Sequence, residues 1–113
     1  MKAKQAIEQL RELARAKGKP VRVRFITRHC GWGACEGFHP VEALVVYPDG
    51  RAEHWPSPYG LHSRIYPTPR GREVDLKEAA RIAARLLQQE RTSTRDPFLS
   101  WERVLDGAEV LEE

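Results

Sequence analysis

Apolar positions along this chain change period several times, and each change marks an element. Over residues 3–17, Ala3, Ala6, Ile7, Leu10, Leu13 and Ala14 recur at spacings of three and four, one stripe of an amphipathic helix. Glu8 with Arg11 and Glu12 with Arg15 sit on its polar face, and Gly18 and Pro20 stop it. Residues 21–28, VRVRFITR, then alternate with period two. Val21, Val23, Phe25 and Thr27 point one way; Arg22, Arg24, Ile26 and Arg28 point the other, a basic row.

Val41–Tyr47 reads as a strand by its β-branched content, and Arg51–Trp55 returns beside it. The connecting Pro48-Asp49-Gly50 suits a hairpin turn, with Gly free to take positive φ. That turn sets Tyr47 opposite Arg51, Val45 opposite Glu53 and Ala43 opposite Trp55. Leu44, Val46 and Ala52 then form the core face, with the reverse assignment open because both faces carry apolar residues. Residues 56–72 hold four prolines and no long period, a long loop with a short strand expected near Ser63–Tyr66.

Asp75, with Glu78 three residues on, opens a second helix, where Val74 can staple onto Ala79. Leu76, Ala79, Ala80, Ala83, Leu86 and Leu87 form its stripe, and the alanines suit close packing on a sheet. Thr92–Arg95 reads as a connection. Asp96-Pro97 starts a third helix, with Phe98, Trp101, Val104 and Leu105 as its buried side and Gly107 as its end. The expected order is α-β-β-β-α-α. It describes a single α+β domain over residues 1–113, an antiparallel sheet of three strands, or four with the Ser63–Tyr66 segment, with helices on one face. From about residue 96 the chain reads as a short acidic helical extension.

Composition narrows the function classes. The net charge of +3 permits a polyanion partner without requiring one. The excess is concentrated in residues 11–28, where Arg11, Arg15, Lys17, Lys19, Arg22, Arg24 and Arg28 face only Glu12. The last residues run acidic: Glu102, Asp106, Glu109, Glu112 and Glu113. Asn is absent and Arg outnumbers Lys, a pattern suited to a thermophile source. No apolar run reaches membrane-span length and no secretory signal opens the chain, so the expectation is a cytoplasmic protein without a membrane partner.

The stretch AIEQLRELARAKGKPVRVRF (Ala6–Phe25) resembles the first helix and first strand of double-stranded-RNA-binding domains, and LKEAARIAARLL (Leu76–Leu87) resembles their Ala-rich second helix. The resemblance covers residues 3–90 and implies an αβββα topology with lysines at the start of the second helix. Only Lys77 stands there, followed by Glu78, and the Pro-rich loop is longer than that family's connection. Membership is not assigned on this basis; what carries over is topology, which does not carry function.

The leading expectation is RNA or DNA binding through a basic sheet face and an Arg/aromatic loop: Arg22, Arg24, Arg28, Tyr47, Trp55, Tyr59, His62, Arg64, Tyr66, Arg70 and Arg72. Guanidinium groups pair with phosphates and aromatic rings stack on bases. The alternative is a protein-interaction or inhibitor module without catalysis. Third is a small RNA-acting enzyme, with His54 and His62 beside Tyr59 and Arg64 as acid, base and charge stabiliser. Separately, Cys35 with Glu36 and His39 can be drawn as a nucleophile and base, though no cysteine-enzyme signature surrounds them. No catalytic residue or cofactor is assigned. The stretch Arg28–His39 holds both cysteines. Cys30, Cys35 and His39, completed by His54 or His62, make a zinc candidate; a Cys30–Cys35 disulfide or free thiols are the other readings.

Overall fold

The computed structural model describes residues 1–27, 41–55 and 71–112. The order is α1 (Ala3–Lys17), β1 (Val21–Ile26), β2 (Val41–Val46), β3 (Ala52–Trp55), β4 (Arg72–Val74), α2 (Leu76–Ser93), α3 (Trp101–Asp106) and β5 (Glu109–Val110). The α+β class holds, with a five-stranded antiparallel sheet of order β4-β3-β2-β1-β5. The helices pack on one face, where alternate strand residues such as Val21, Val23, Phe25, Leu44, Val46 and Ala52 are buried against them. Ala79 and Ala83 of α2 are buried there too, and their small side chains let the helix approach closely.

The hairpin has the expected register: Ala43 pairs with Trp55 and Val45 with Glu53. Gly50 takes φ of +92°, and its N–H donates to the Tyr47 carbonyl at 3.0 Å. A Cβ there would also stand 3.4 Å from the Arg11 guanidinium of α1. Helix α1 ends as expected at Gly18, with φ of +66° and its N–H on the Ala14 carbonyl. Asp75 caps α2 by accepting from the Glu78 N–H at 2.7 Å.

Four expectations need correction. Among the described residues the sheet has five strands rather than three or four; β4 and β5 are not in the expected order. β4 is three residues, two of them charged and exposed, and shows no alternation to read. The segment Ser63–Tyr66 lies outside the described residues. Strand β1 ends at Ile26 rather than at residue 28. Helix α2 runs through Ser93 into the expected connection.

The third helix starts at Trp101, not at Pro97. The Asp96 carboxylate accepts from the Phe98 N–H at 3.1 Å, folding a turn instead of capping a helix. Arg95 ahead of it has φ of +55°. Ser100 is the cap, accepting from the Arg103 N–H. Phe98 is therefore 84% exposed, while Leu99 and Trp101 enter the core. Trp101 meets the Phe25 ring edge-on, centroids 6.2 Å apart. The acidic tail completes the sheet: β5 pairs with Val21 and Arg22 of β1.

β5 covers only the start of β1. At the other end, the Glu90 carboxylate accepts from the Ile26 N–H at 2.6 Å and the Ser93 hydroxyl donates to the Ile26 carbonyl at 2.7 Å. Two side chains of α2 thus satisfy the edge groups that another strand would otherwise pair with.

Trp101→Ala is expected to cost about 3–5 kcal/mol in urea unfolding, as a buried aromatic. Phe98→Ala should stay within about 0.5 kcal/mol, as an exposed one.

Candidate functional site

Two clusters of polar side chains flank the sheet. The first lies on the face away from the helices. Arg22, Arg24, Glu53, Trp55, Glu73 and Glu109 share this face by strand register. The Arg22 guanidinium stands 5.9 Å from the Trp55 ring centroid. Arg22 is on β1 and Trp55 on β3, so this cation–π contact bridges across β2. Ala43 and Val45 of β2, also on this face, have no exposed surface. Trp55 donates its Nε1–H to Glu53 at 2.9 Å. Arg51 lies 4.8 Å from the ring of Tyr47, itself buried.

The arginines are matched by acids. Glu109 takes Arg22 at 3.0 Å and Arg24 at 2.8 Å. Arg51 reaches Asp49 at 2.7 Å and Glu73 at 3.7 Å. Asp49 is held below the usual carboxylate range by the Arg51 backbone N–H and guanidinium. The basic row seen in the sequence is, among the described residues, a face of mixed sign.

The second cluster lies on the helix side. Strand alternation puts Glu42 and His54 in the same row as Leu44 and Ala52. Glu42 Oε1 is 2.8 Å from His54 Nε2 and 3.7 Å from Arg85 Nη2 of α2. The Glu42 and His54 side chains are 16% and 14% exposed. The hydrogen bond from His54, then the charge of Arg85, hold the Glu42 carboxyl below its usual range against the opposing effect of burial. At the same end of the sheet Glu90 is pushed the other way: desolvation outweighs its bond from Ile26.

Of the expected binding residues, Arg22, Arg24, Tyr47 and Trp55 share the face away from the helices. Arg72 lies across β3–β4 from His54, in the helix-side row, with Glu78 at 3.8 Å. Arg28, Tyr59, His62, Arg64, Tyr66 and Arg70 lie outside the described residues, as do Cys30, Cys35, Glu36 and His39. The zinc and disulfide readings therefore also fall outside them. No group of three or more His, Cys, Asp or Glu among the described residues could hold a metal. No helix among them is long and apolar enough to cross a membrane.

Glu42, Arg85 and Glu109 were not singled out from the sequence. Glu42 could have been: its parity with Leu44 and Val46 puts an acid in a core row, and the hairpin register brings His54 to Leu44 beside it. Glu109 carried no such signal, since it meets Arg22 only through β5. Comparisons with family models, with curated proteins and with solved structures find no match to this chain.

Glu42 and Glu90 should act oppositely on stability. An unfolded glutamate titrates near about 4.3. The contribution of Glu42, lowered in the fold, is present above that value and lost as pH falls through its folded pKa. That of Glu90, raised in the fold, is present below it and lost as pH rises through its folded pKa. In urea unfolding from about pH 3 to pH 7, the deficit of Glu42→Gln relative to the parent should widen with pH. The deficit of Glu90→Gln should shrink or reverse.

Proposed function

We propose that this chain is a small nucleic-acid-binding domain, acting on RNA or DNA through the sheet face opposite the helices. The observation that carries this reading is the pairing of Arg22 with Trp55 on that face, with Arg24 alongside. The indole of Trp55 with the Arg22 guanidinium near it offers a surface for a base, while half-exposed Arg24 offers charge for a phosphate. The arginines and aromatics of residues 56–70 belong to the same proposal through sequence alone.

The acids on this face shape how binding would work. A phosphate would compete with Glu109 for Arg22 and Arg24, so affinity should be modest and strongly salt-dependent. The same mixed charge favours a second reading, a protein-interaction module, because a partner of alternating sign can pair with both the arginines and the acids.

Fluorescence anisotropy with labelled single-stranded RNA, duplex RNA and DNA separates the two. Binding at low salt that weakens steeply with added salt is expected, and Arg22→Glu with Arg24→Glu should abolish it. Glu109→Gln should tighten binding roughly two- to five-fold by freeing both arginines from a partly exposed ion-pair cluster. No binding to any nucleic acid at low salt would leave the protein-interaction reading.

A further inference from the structure

Helices α1 and α2 leave a gap between them near their starts. A cavity of about 320 Å³, partly open to solvent, is lined there by Lys4, Ile7 and Glu8 of α1 and by Leu76, Lys77 and Ala80 of α2. Sites for small organic molecules begin at about this size. Ile7 belongs to the buried core, and Leu76 and Ala80 pack against it, so the floor of the cavity is apolar. Lys4, Glu8 and Lys77 are exposed and form its rim.

The rim is unusual in two ways. Among the described residues, the side chains of Lys4, Glu8 and Lys77 make no ion pair or hydrogen bond, whereas Arg22, Arg24, Arg51 and Arg85 are all paired. Each lysine is also the second residue of its helix. A cation there faces the positive end of the helix dipole, where an acid is favoured. Two residues on different helices, both set against the local preference, line one apolar cavity. Departures of this kind tend to mark functional sites.

We propose that this cavity binds a singly charged aliphatic carboxylate of the fatty-acid class. The hydrocarbon chain lies on Ile7, Leu76 and Ala80, and its removal from water drives binding. The carboxylate stays at the rim, where Lys4 and Lys77 donate to it. Glu8 offsets one of the two lysines and leaves the rim with a single net positive charge, which suits a monoanion and disfavours a phosphate dianion. The cavity lies in the helical layer, on the other side of the sheet from Arg22 and Trp55. The inference therefore stands independently of the nucleic-acid reading.

The test titrates the isotope-labelled full chain with octanoate at constant ionic strength and follows amide chemical shifts by NMR. Shifts are expected at Ile7, Leu76 and Ala80, with Kd on the order of 1 mM for so small a ligand. Octanol and octyltrimethylammonium carry the same tail and should bind at least about five-fold more weakly. Lys4→Glu with Lys77→Glu should weaken octanoate about ten-fold. The melting temperature should hold, since an acid suits both positions. Ala80→Trp should fill the cavity and abolish binding; the charge variant carries the test if the tryptophan variant does not fold. Octanol binding as tightly as octanoate, or the double variant binding octanoate like the parent, would overturn the proposal. Absence of shifts at the cavity would overturn it too. Self-association at high concentration that Ala80→Trp removes would then give the cavity to a second copy of the chain.

Discussion

The register of β2 between β1 and β3 is the constraint on which the other features depend. Side chains alternate along a strand, so a one-residue slip would move each β2 residue to the opposite face. Leu44 and Val46 would leave the core, Ala43 and Val45 would enter it, and Glu42 would lose both His54 and Arg85. The Pro48-Asp49-Gly50 turn fixes the β2–β3 register locally. Arg11 of α1, packed against Gly50, ties that turn to the helical layer. The same register separates the two polar clusters, one under α2 and one on the face away from it.

Strand β1 is held differently on its two sides. Toward β2 it has a full ladder of six pairs. On its outer side β5 supplies two pairs and α2 supplies Glu90 and Ser93. Closing an edge with a carboxylate and a hydroxyl joins helix to sheet through backbone groups, without extra strand length. It also explains why a half-buried carboxyl is tolerated at Glu90: its desolvation is partly offset by a bond from a backbone N–H that needs an acceptor.

Features written in local pattern were legible in the sequence. The period of α1, the alternation of β1, the hairpin turn and the Asp75 cap each depend on residues a few positions apart, and the structure has them. The elements that escaped are those defined by distant partners. β5 is a strand only because β1 lies beside it; taken alone, Glu109 and Val110 belong to an acidic tail. The start of α3 was misplaced because Asp96-Pro97 suits a turn as well as a helix start. Burial of Leu99 and Trp101, rather than Phe98, follows the later start. The cluster on the face away from the helices was half legible: Arg22, Arg24 and Trp55 follow from parity and register, whereas Glu109 does not.

The missing partner changes the physical picture of that face. Counting charge along residues 11–28 gives a strongly basic stretch, yet the field above a sheet is set by whichever strands lie side by side. Glu109 comes from the far end of the chain to sit between Arg22 and Arg24, and Glu73 reaches Arg51 from the opposite edge strand. These pairs also order the guanidinium groups, holding Arg22 across β2 and against Trp55 instead of leaving it to sample solvent. A ligand phosphate would therefore meet side chains that are already placed, which reduces the entropy cost of binding, but it must also displace a carboxylate. Under the proposed nucleic-acid reading, preorganisation and competition would both be set by Glu109, the one acid that holds Arg22 and Arg24 together.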